Sequence, residues 1–242
     1  YIGTNASGTA ALPNPSGVWI ASGAQYNTVG GTTPGERNVI SGNSDQTSWA
    51  VGVWISGAGT DYNTVIGNYI GTDASGTAAL GNGGGPHAGA GVSISDGASR
   101  NTIGGIMPEE RNLISGNEGH GVHIGSSASH NTVSGNYIGT DVNGTAALPN
   151  ASYGVQISGA YGGPNNNIIG GSNASPGGAC SGGCNLISGN SQTGVTLEDS
   201  GTEHNVVSGN YIGTDLNGTM PIPNGCLLYT SDAADEGLGV DL

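Results

Sequence analysis

Three tryptophans carry the largest flat surfaces of the chain. Trp19 and Trp54 each take the third place of a Gly-Val-Trp-Ile tetrapeptide, and Trp49 lies just before the second one. If the tetrapeptides are equivalent strands on neighbouring layers, the two rings stack on one face. Flat aromatic faces among Asn and Ser suit sugar rings, although cross-strand stacking alone also accounts for them. His120, between Gly119 and Gly121, is the candidate for acid–base work, with Asp45 and Asp199 on odd coils as the nearest analogues of a catalytic aspartate. Sugar hydrolysis needs two carboxylates roughly 5–9.5 Å apart, and no Asp-Asp pair is present. A lyase needs a basic residue, and Arg37, Arg100 and Arg111 are the only candidates.

Two further sets of residues have ligand-like spacing. Asp73, Asp141 and Asp215 sit in Asp-x-Ser/Asn-Gly, with Asn5 in the first copy. Oxygen ligands at alternate positions before Gly resemble the start of a calcium loop, but no distal Glu follows. An Asx-turn explains the same residues without metal. Cys180 and Cys184 are four residues apart, with no His nearby to complete a zinc set. Their economical reading is a small disulfide, which implies an oxidising compartment. Cys184 stands where Glu36-Arg37 and Glu110-Arg111 place an Arg, so the arginines read as structural clamps, by ion pairing or by binding carbonyls.

These residues must be positioned by a repeat. Ile-Gly-Thr begins at Ile2, Ile70, Ile138 and Ile212, with spacings of 68, 68 and 74 residues. A finer unit lies inside it. Gly-Val-x-Ile/Leu occurs at 17–20, 52–55, 91–94, 121–124, 154–157 and 194–197. A second strand opens at Asn27, Asn63, Asn101, Asn131, Asn167 and Asn205, and a third at Asn38, Asn68, Asn112, Asn136, Asn185 and Asn210. Strands this short bury a core only by stacking, coil on coil. The period-two alternation turns Val and Ile inward and Trp19, Trp54, Ser93, His123, Gln156 and Thr196 outward. Stacked Asn side chains would form hydrogen-bonded ladders at two corners. His120 reads as a turn residue between one corner and the next strand, with Asp45 and Asp199 two coils away on either side.

The expectation is an all-β, single-domain solenoid over 1–225, about six coils of three short strands, without an α-helix. The pattern resembles the right-handed parallel β-helix family of pectate lyases, polygalacturonases, phage tailspikes and bacterial surface repeats. Within it, Ile-Gly-Thr-Asp-x-x-Gly-Thr-Ala-Ala-Leu-Pro-Asn is similar to repeats of large secreted bacterial proteins, and Gly119-His120-Gly121 resembles the Gly-His-Gly of polygalacturonases. The resemblance implies a secreted or cell-surface structural or adhesive array, with polysaccharide as ligand and flanking repeats as partners. Its alternative is a pectin-degrading lyase or hydrolase. No cofactor is expected, calcium being the one metal the motif leaves open. Residues 226–242 break the repeat and resemble a translated sequencing adapter, so they are expected to lie outside the fold. The chain begins inside a repeat and not at Met, which reads as a fragment. A net charge of −14 argues against nucleic acid, and no apolar run is long enough to span a membrane.

Overall fold

The computed structural model describes residues 1–45, 49–84, 89–159 and 162–225. The tail at 226–242 and part of the loop at 71–89 lie outside these residues. Coil one is β1 (Val18–Ala21), β2 (Thr28–Gly30) and β3 (Val39–Ile40), and coil two is β4 (Val51–Ser56), β5 (Thr64–Ile66) and β6 (Tyr69–Ile70). Coil three is β7 (Ala90–Ser95), β8 (Thr102–Gly104) and β9 (Leu113–Ile114). Coil four is β10 (His120–Gly125), β11 (Thr132–Ser134) and β12 (Tyr137–Ile138). Coil five is β13 (Val155–Ser158), β14 (Ile168–Gly170) and β15 (Leu186–Ile187), and coil six is β16 (Val195–Leu197), β17 (Val206–Ser208) and β18 (Tyr211–Ile212). Corresponding strands pair in parallel, giving three six-stranded sheets, a parallel β-helix. At about 4.8 Å per coil, six coils extend about 30 Å.

The core is a set of columns of like side chains. Val53, Val92, Val122 and Val155 stack on one wall with Ile55, Ile94, Ile124 and Ile157 beside them, all fully buried. Branched side chains in register suit a pleated wall, because each repeats the packing of its neighbour. The glycine of Gly-Val-x-Ile is a steric requirement. A Cβ on Gly121 would lie 2.6 Å from both Ile138 Cγ2 and the Gly154 carbonyl oxygen, and Gly52 and Gly91 are equally crowded.

Amides hold the corners. In the middle of the solenoid Asn136 Nδ2 donates to Asn185 Oδ1 and to the Ile103 carbonyl, while Asn136 Oδ1 accepts from the backbone and side-chain nitrogens of Asn112. The two expected columns behave this way throughout. The structure adds a third column: Asn14, Asn43, Asn82, Asn117, Asn150, Asn190 and Asn224. All three ladders donate toward the C-terminal end.

The recurrent loop folds back on itself through antiparallel bridges Thr4–Ala11, Thr72–Ala79, Thr140–Ala147 and Thr214–Pro221. It also reaches neighbouring layers. Leu80, Leu148 and Ile222 accept at their carbonyls from Gly42, Gly116 and Gly189 of the preceding coil. Ala74, Val142 and Leu216 donate to Gly8, Gly76 and Gly144 of the previous copy of the loop. The loops therefore form one continuous strip over the third sheet, burying Leu113, Tyr137 and Leu186 beneath them.

Candidate functional site

The outward residues of the first sheet fall in the expected column: Trp19, Trp54, Ser93, His123, Gln156 and Thr196 are Cα partners in turn. Trp19 and Trp54 stack with centroids 5.2 Å apart and planes 13° from parallel. Their edges are tied down, Trp19 Nε1 donating to Ser56 Oγ at 2.9 Å and Trp54 Nε1 to Ser95 Oγ at 3.0 Å. Ser93 follows in the column, and its small side chain leaves a gap before the His123 ring. There the surface opens into a pocket of about 250 Å³ lined by Trp49, Trp54, Ser93, Ser95, Asp96, His123 and Ser126. Trp49 enters the site by leaning on His123, with centroids 5.9 Å apart. The column thus brings together all three tryptophans that the sequence singles out.

His120 corrects the expectation of a turn residue. It is the first residue of β10, pairs with Ala90 and is only 7% exposed. The first-sheet strands of coils two to four run six residues because Val51, Ala90 and His120 extend the pairing ahead of the tetrapeptide. The His120 ring stacks on Tyr153 at 5.4 Å and lies 5.9 Å from His123, and its Nδ1 has no hydrogen-bond partner among the described residues. Burial lowers the His120 pKa against the opposing pull of Glu198. For His123 burial, helped by the charge of His120, lowers it to about 4. Both rings are neutral at pH 7.

Asp45 and Asp199 stand apart from His120, as the repeat spacing implies. Asp45 lies in the connection from β3 to β4 and Asp199 in the turn after β16, at different corners and each about 10 Å from β10 along the axis. The carboxylate in the pocket is Asp96, which no sequence motif marks. Its Oδ2 accepts from Ser95 Oγ at 2.9 Å, so Trp54, Ser95 and Asp96 form one chain of hydrogen bonds. Asp96 directly follows β7, where coil two has Gly57 and coil one Ser22, a difference visible only once the strands are aligned in register.

Asp73, Asp141 and Asp215 turn their carboxylates into their own loops. Asp141 Oδ1 accepts from the backbone of Thr145 and Ala146, and Asp73 and Asp215 repeat the pattern. These bonds hold the three pKa values below the usual carboxylate range against the opposing effect of burial. The Asx-turn accounts for the motif, and no cluster of three His, Cys, Asp or Glu able to hold a metal occurs among the described residues.

The arginine clamps bind carbonyls. Arg37 Nε donates to Gly67 O and Arg111 Nε to Gly135 O, each guanidinium lying 4.2–4.4 Å over a tyrosine ring, Tyr69 or Tyr137. The ion-pair alternative fails because Glu36 and Glu110 instead accept from the backbone of Thr33 and Met107. In the third such loop Cys180 and Cys184 are disulfide-bonded and pack against the same buried cluster. Replacing both by Ser should cost roughly 2 kcal/mol by loop-closure entropy. Urea unfolding with and without reductant measures it, and reductant should leave the double variant unchanged.

A second check is acid stability. A histidine whose folded pKa is depressed favours the unfolded state once protonated, so the stability it contributes is complete above pH 6.5 and lost as pH falls toward 4. Melting temperature should decline through that window, by up to about 1.4 kcal/mol of stability per pH unit for each such histidine. His123→Asn should flatten the decline. An unchanged slope would place the effect elsewhere.

Fold and face together define a class: a parallel β-helix with an aromatic outer sheet. No known protein family, curated protein or solved structure matches this chain.

Proposed function

We propose that the chain is a structural or adhesive array of an extracellular or cell-surface protein whose first sheet contacts polysaccharide. The observation carrying this reading is a pocket lined by Trp49, Trp54 and His123, with Trp19 stacked behind Trp54, whose remaining polar groups are serine hydroxyls and one carboxylate. Rings held by their edges keep the face turned away from the stack for the C–H surface of a sugar and lose little side-chain freedom on binding. The disulfide supports an oxidising compartment. The alternative is a lyase or hydrolase; against hydrolysis, which uses two carboxylates, this pocket is lined by one among the described residues, Asp96.

Glycan-array binding should reveal oligosaccharide ligands, and Trp54→Ala should weaken them at least tenfold, as truncation of a central aromatic anchor does. An array without hits would remove the reading. Reducing-sugar release that disappears in His120→Ala would establish the enzyme instead.

A further inference from the structure

We infer that the pocket between Trp54 and His123 takes an amino sugar, its ammonium held by Asp96 against the indole faces; this rests on the polysaccharide reading above. Trp19 and Trp54 make the same bond to a serine, Ser56 or Ser95, but only Ser95 is followed by an acid. Ser95 Oγ donates to Asp96 Oδ2, so the carboxylate is oriented at the pocket rim with its other oxygen open to a ligand. Indole faces attract cations, and a neighbouring carboxylate adds to that attraction.

None of the three arginines competes for the site. Arg37 and Arg111 are spent on the tyrosines of the third sheet, and Arg100 lies over Tyr62 at the corner, 5.9 Å from its ring. Burial keeps His123 and His120 uncharged at neutral pH, so the imidazoles offer hydrogen bonding and ring surface without repelling an ammonium. A uronate would meet the opposite field, its carboxylate facing Asp96 and the negative faces of the rings. The face is therefore set against acidic pectin-type polymers.

The test compares length-matched oligomers of glucosamine, N-acetylglucosamine and galacturonate by tryptophan fluorescence and calorimetry at about 150 mM salt, where diffuse attraction is screened. The glucosamine oligomer should bind at least tenfold more tightly than the acetylated one, and galacturonate not measurably. Asp96→Asn should bring the first two within about threefold of each other. Asp96 has φ of 56°, a left-handed conformation that Asn adopts readily, so the turn is retained. Equal binding of the amino and acetylated oligomers overturns the inference and leaves the polysaccharide reading standing. A preference unchanged by Asp96→Asn, or tight galacturonate binding, also overturns it. Binding of none of the three overturns it too, and the polysaccharide reading falls with it only if the glycan array is also without hits.

Discussion

Asn136→Ala should lower the unfolding free energy by about 4 kcal/mol, near the upper end for single substitutions. The size follows from what the amide does. Its nitrogen satisfies the Ile103 and Ser134 carbonyls and Asn185 Oδ1, and its oxygen satisfies two donors of Asn112. Asn136 is fully buried, so water cannot replace these bonds, and each orphaned group costs about 1–3 kcal/mol. Asn27, at the exposed start of its ladder, donates to Gln25 and Asn63, so Asn27→Ala should cost only about 1 kcal/mol. Chemical denaturation of both variants measures the gradient. Equal losses at the two positions would show that the ladder does not derive its worth from burial.

Gly121→Ala should cost about 3 kcal/mol. The new methyl meets Ile138 Cγ2, the Gly154 carbonyl and Asn150 Nδ2 at 2.6–2.9 Å, and two of these belong to rigid parts of the wall and corner. Relief requires β10 to move away from β13, and β10 carries His120 and His123. Oligosaccharide binding should therefore weaken along with stability. Gly35, where an added methyl would meet nothing within 4 Å, is the matched control, and Gly35→Ala should be neutral within about 0.5 kcal/mol. A Gly121→Ala protein as stable as the control would show that the recurrent glycine of the tetrapeptide has another cause.

The strands and two of the Asn columns are legible in the sequence because each repeats in a fixed phrase, and the Cys pair because Cys184 takes the place of a recurrent Arg. The third Asn column is hidden because two phrases supply it in alternation. Ser-Gly-Asn provides Asn43, Asn117 and Asn190, whereas Leu-Pro-Asn, Leu-Gly-Asn and Ile-Pro-Asn provide Asn14, Asn150, Asn82 and Asn224. Only the hydrogen bonds reveal that both phrases end at the same corner. The Trp19–Trp54 stack follows directly from the tetrapeptide, while the pocket does not. Its members come from consecutive coils and from the turns beside them, so Asp96 acquires meaning only through Ser95 and the ring of Trp54 one layer below. His120 departs from its expected place for a related reason: pairing across the stack, through Ala90, extends the strand beyond its local signal.

The strip of loops along the third sheet sets a unit of length. Each copy rests on the one before it, Val142 on Gly76 and Leu216 on Gly144, although a coil without the loop intervenes each time. Two coils, about 10 Å of axis, are thus the smallest module that can be added or removed with these junctions remade identically. Insertion of one coil would put the loops out of step, and insertion of two would lengthen the rod without changing its sides. The protein is graduated like a ruler, with its marks two coils apart.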